Sequence, residues 1–77
     1  MQKEREPKMP NYIINTNTDS NGYNEVHNTS CNHLPEVANQ VSLGYHIGAE
    51  AAVSYAKSVG YKNADGCYYC CNEAHHG

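Results

Sequence analysis

Two short segments of this 77-residue chain hold the residues best suited to chemistry, His27-Asn-Thr-Ser-Cys31 and Cys67-Tyr-Tyr-Cys70-Cys71. A thiolate pair separated by two residues and a His/Cys pair separated by three are the soft and borderline donors of a tetrahedral Zn²⁺ site. Two loops that each offer two such donors assemble it with little backbone strain. The spacing nominates His27, Cys31, Cys67 and Cys70 as one split zinc site. Cys71 and His75 compete for its fourth position, because a final helical turn over Cys70–His76 sets them four apart on one face. Adjacent cysteines seldom bind one tetrahedral ion, so the plainer reading of Cys71 is a small buried hydrophobe. His33 and His46 offer further imidazoles.

No catalytic constellation accompanies these residues. The carboxylates Asp19, Glu25, Glu36, Glu50, Asp65 and Glu73 are scattered among turns and a helix face, and no Gly-rich phosphate loop is present. A closed four-ligand site also leaves no position for a reacting water, so a structural metal is favoured over an enzyme.

Length makes the metal matter. The chain has room for one domain, and its aromatic residues are seven tyrosines, with no Phe and no Trp. Apolar burial minus chain entropy comes out near zero at this size, whereas structural zinc contributes on the order of 10–16 kcal/mol of apparent binding free energy in small peptides. The formal charge is −3, and the five basic residues are divided between Lys3, Arg5 and Lys8 near the start and Lys57 and Lys62 near the helix end. Three thiolates on one Zn²⁺ add about one more negative charge, which argues against non-specific DNA binding. Met1 to Pro7 is polar, no apolar signal-peptide region follows, and no run is long enough to cross a membrane. The expected location is the cytoplasm, where a Cys-x-x-Cys pair is more often a metal clamp than a disulfide.

Several elements must position the donors. Residues 1–10 carry alternating charges and two prolines, and are expected to form a disordered tail. Tyr12-Ile13-Ile14 and Tyr23–His27 flank the turn signal Asp19-Ser20-Asn21-Gly22, which predicts a β-hairpin with a loop longer than two residues. Leu34–Val37 suits one helical turn, and Val41-Ser42-Leu43 a short strand. The firmest periodicity runs from Ile47 to Val59, where Ala49, Ala52, Val53, Ala56 and Val59 share one helix face. Gly60 and Tyr61 then suit a Schellman ending, and Asn63-Ala64-Asp65-Gly66 a turn that presents Cys67. The expected fold class is α+β: a small zinc-stabilised domain over residues 11–77, with a β-hairpin, a third short strand and one main helix at about 47–59.

The order of these signals resembles the Ada-type metal-binding domain, the zinc module of the DNA alkylation-repair protein Ada. The resemblance covers roughly residues 11–71 and rests on Tyr12-Ile13-Ile14-Asn15, His27-x-x-x-Cys31 with Leu34-Pro35, the short strand from Asn39 to Leu43, the Ala-rich helix, Gly60-Tyr61 and Cys67-x-x-Cys70. It implies a small α+β zinc domain with the ligand pairs at the end of a hairpin and after the helix. In Ada the first ligand is a cysteine that accepts a methyl group from a DNA phosphotriester. Here that position is His27, and an imidazole cannot play that part. The basic residues the family places near its cysteines are replaced by Lys62-Asn63-Ala64-Asp65-Gly66. The His-containing version is similar to accessory modules beside nucleases and other hydrolases, a link to nucleic-acid processing.

The function expected is therefore a small, stand-alone zinc-binding module that serves a protein or nucleic-acid partner in an interaction or accessory role. Two alternatives stand beside it. One is a thiol-reactive alkyl acceptor of the DNA-repair type, with Cys31, Cys70 or Cys71 as nucleophile. The other is a secreted peptide stapled by disulfides, which the even cysteine count allows.

Overall fold

The computed structural model describes residues 9–77. The expected disordered tail lies outside the described residues except for Met9 and Pro10. Among the described residues, four strands and one α-helix form a small α+β domain, in the order β1 (Asn11–Asn15), β2 (Asn24–Asn28), β3 (Gln40–Tyr45), α1 (Ala49–Ser58) and β4 (Ala64–Gly66). The sheet order is β3-β1-β2-β4.

Alternation on β1 and β2 sets the two faces of the sheet. Ile14 stands opposite Val26, and both enter the core beneath α1, while Ile13 stands opposite His27 on the other side. The hairpin is the one its turn residues predict. Asp19 Oδ1 accepts the N–H groups of Asn21 and Tyr23, each at 2.9 Å, and so closes the loop around its own side chain. The expected third strand pairs with β1 on the far side, antiparallel, with a bulge opposite the Tyr12/Ile13 step that leaves Leu43 out of the pairing. Leu43 points into the core.

α1 buries Ala49, Ala52, Val53 and Ala56, small side chains that let the helix lie close to the sheet. Its end is the expected Schellman motif. Tyr61 N–H reaches Ala56 O at 3.0 Å and Gly60 N–H reaches Lys57 O at 3.3 Å, with Gly60 at φ 118°. Val59, expected on the buried face, is 50 % exposed: it caps the helix, and Tyr61 folds back onto the core in its place.

Two expectations fail past the helix. Residues 64–66 are a strand rather than part of a turn, joining β2 in parallel register with Asn24 opposite Ala64, Glu25 opposite Asp65 and Val26 opposite Gly66. The expected helical turn over Cys70–His76 is only a 3₁₀ turn at Asn72–Ala74, after which His75 is extended. Packing explains the shortness of both. Ala74 is buried against β4, and a Cβ on Gly66 would stand 2.5 Å from Cys71 O and 2.9 Å from Ala74 Cβ. The chain must turn tightly there to cover a glycine. Among the described residues, no helix is long and apolar enough to cross a membrane.

Candidate metal centre

Parallel pairing of β2 and β4 makes both strands end at the same edge of the domain, so the segments leaving them meet. Cys67 N–H continues the ladder onto Val26 O at 2.9 Å. At the end of β2, Asn28 builds an Asx turn: its Oδ1 accepts Ser30 N–H at 3.0 Å and Ser30 Oγ–H at 2.9 Å, and its carbonyl accepts Cys31 N–H at 2.9 Å. Beyond β4, Cys71 N–H returns to Cys67 O at 2.9 Å, which turns Cys70 back toward β2.

These two turns bring together one donor atom from each of His27, Cys31, Cys67 and Cys70, all within 4.8 Å of one another. The four could hold a metal ion. Cys31 Sγ and Cys67 Sγ are 3.9 Å apart. Tetrahedral coordination with metal–sulfur bonds of about 2.3 Å separates sulfurs by about 3.8 Å, so this edge already has the needed length. It is also far beyond the length of a disulfide, and all four cysteines are free.

Burial and charge point the same way. His27 and Cys67 are buried, and Cys31 and Cys70 are half-buried. His27 Nδ1 is a buried nitrogen without a hydrogen-bond partner among the described residues, a costly condition unless something else binds it. Burial, with a smaller contribution from the His33 ring, lowers the His27 pKa and keeps the imidazole neutral, the form that binds metals. Burial is also the main cause that pushes the Cys67 and Cys70 thiols up, so their thiolates need a compensating cation. Backbone donors already await that charge: Cys70 Sγ accepts Asn28 N–H at 3.2 Å, and Cys31 Sγ accepts His33 N–H at 3.3 Å. With all four groups on one tetrahedral ion, no coordination position is left open.

Neither alternative for the fourth position joins the cluster. Cys71 is fully buried in the core, its sulfur 3.5 Å from that of Cys70, and burial raises its thiol. The 3₁₀ turn carries His75 away from Cys71, and the His75 ring donates from Nδ1 to Gly66 O at 2.9 Å and lies 3.2 Å from Asp65 Oδ2.

Three further features surround the site. Glu25 Oε1 lies 3.5 Å from His27 Nε2, a neighbour that period two along a strand does make legible. The rings of His33 and Tyr69 stack at 4.0 Å and 22°, joining the two ligand turns beside a cleft of about 340 Å³ bordered by Cys31 and Cys70. Asp65 is buried and accepts the N–H groups of His76 at 2.8 Å and Gly77 at 3.0 Å, fastening the last residues to β4. No sequence signal marks the last two, because each depends on pairing across the fold. Compared with protein-family models, curated proteins and solved structures, the chain matches none.

Proposed function

We propose that this chain is a zinc-binding module of the Ada-like type whose metal is structural, and that it acts as an interaction or accessory unit for a protein or nucleic-acid partner. The observation that carries the reading is the convergence of His27, Cys31, Cys67 and Cys70 within 4.8 Å. Three thiolates with one imidazole are a recognised structural zinc set, and soft sulfur donors disfavour magnesium, calcium and manganese. The resemblance in signal order supports the same reading, since the hairpin, the third strand, the Ala-rich helix and Gly60-Tyr61 precede the Cys-x-x-Cys pair in the expected sequence. The energetic need is plain. Five of the core residues are alanines, beside Tyr12, Ile14, Val26, Leu43, Val53 and two cysteines, and an ion binding only the folded state stabilises it strongly.

The alkyl-acceptor alternative needs an activated thiolate open to its substrate. Cys31 and Cys70 border the cleft, but each sulfur accepts a backbone N–H, and donors to a thiolate stabilise its charge at the expense of nucleophilicity. Native mass spectrometry before and after chelation, paired with far-UV circular dichroism, tests the proposal. One zinc per chain is expected, with loss of the folded signal when it is removed. A chain prepared with zinc present that stays folded and metal-free defeats it.

A further inference from the structure

His27 and Glu25 are two residues apart on β2, so their side chains leave the same face of the strand. Glu25 Oε1 lies 3.5 Å from His27 Nε2, while Nδ1 is buried without a partner among the described residues. A neutral imidazole carries a proton on one nitrogen and a lone pair on the other, and the neighbour of the protonated nitrogen decides which is which. A carboxylate beside Nε2 selects the form with the proton there. The lone pair then sits on Nδ1.

Asp65, the strand neighbour of Glu25, is not an equivalent candidate. Its two oxygens accept the N–H groups of His76 and Gly77, and the His75 ring lies 3.2 Å from Oδ2. The 3.5 Å separation exceeds that of a full hydrogen bond, but Glu25 is 32 % exposed and has the rotamer freedom to close it.

We propose that Glu25 is a positioning residue of the metal centre: it accepts Nε2–H from His27 and so fixes Nδ1 as the metal-binding nitrogen. The inference rests on the metal-centre reading above and adds a specific partner to it. Ligating histidines characteristically donate their other N–H to a carboxylate or carbonyl, and loss of that partner weakens metal affinity about 10–100-fold. Glu25 also lends the ring negative charge, which makes Nδ1 a stronger donor.

The test uses the full chain loaded with zinc. Long-range ¹H–¹⁵N spectra of the histidine rings should show His27 protonated at Nε2 and bound through Nδ1. Competition against a chromogenic chelator should show Glu25→Ala binding zinc about 10–100-fold more weakly, and Glu25→Gln, which keeps an acceptor oxygen and the same shape, between the two. Binding of His27 through Nε2, or an unchanged affinity in Glu25→Ala, overturns the proposal. Should Glu25→Ala fail to fold, the wild-type ring spectrum and Glu25→Gln decide the question. A wild-type chain that takes up no zinc is a different result, for it removes the metal-centre reading itself before any variant is compared.

Discussion

Mild acid should unfold the zinc-bound chain, with a steepness set by the number of protons its ligands must shed. Cys67 and Cys70 are raised by burial, so in the metal-free fold both hold their protons at neutral pH. In the unfolded chain they are thiols as well, since an ordinary cysteine titrates near about 8.5. Zinc binds only the thiolates. The bound native state therefore carries at least two protons fewer than any metal-free state, and stability must rise with pH. Each proton corresponds to about 1.36 kcal/mol per pH unit, so two give a slope of about 2.7 kcal/mol per pH unit below the thiol range. The lowered pKa of His27 adds in the same direction. Its contribution is present above the ordinary histidine value and is lost as pH falls through it, because the unfolded ring then takes up a proton that the native ring refuses. Urea unfolding followed by circular dichroism from pH 7.5 to 6, with free zinc buffered at one concentration, measures the slope directly. A stability that changes by less than one proton's worth per pH unit over that range refutes the assignment of Cys67 and Cys70 as ligands.

The remaining predictions concern residues around the site. Cys71→Ala should cost about 1–2 kcal/mol in chemical denaturation, as expected for a small cavity in the core, yet leave one zinc per chain by native mass. Gly66→Ala should destabilise by about 1–3 kcal/mol, read as a lower melting temperature, because its methyl would meet the backbone of the final turn at Cys71 O, 2.5 Å away. Tyr69→Ala removes the stack on His33, an interaction worth about 1 kcal/mol. It should speed zinc extraction by a chelator about fivefold in stopped-flow absorbance, and an unchanged rate would show that the stack does not hold the two ligand turns together.

The helix shows what a sequence of this size makes legible. Ala49, Ala52, Val53 and Ala56 repeat with the helical period and are buried, and Gly60-Tyr61 supplies a local stop that needs no tertiary partner. Asp19 and Gly22 likewise mark the hairpin loop by chemistry confined to four residues. β4 is the opposite case. Ala64-Asp65-Gly66 has low strand propensity and reads as a turn, and it becomes a strand only because β2 offers a free edge that its backbone can satisfy. The reason the two ligand segments meet was invisible for the same cause. Residue types and spacing identify candidate donors, but the parallel pairing that brings His27 and Cys31 to Cys67 and Cys70 is a property of backbone contacts such as Val26 with Gly66, far apart in sequence.

A histidine at position 27 also suits the electrostatics of its strand. Four thiolates around a divalent zinc leave a net charge of about −2, whereas three thiolates and a neutral imidazole leave about −1. On β2 this charge would lie among further negative groups, with Glu25 on the same strand and buried Asp65 in register beside it. A fourth thiolate next to Glu25 would add like-charge repulsion in a partly desolvated place, where it is costly. The imidazole reverses that relation. In the proposed centre it would contribute no charge to the metal and present to Glu25, 3.5 Å away, an N–H rather than a sulfur anion, making that carboxylate an acceptor for the site instead of a competitor for its ion. A histidine rather than a fourth cysteine at this position is then what would let a metal centre sit on an acidic strand.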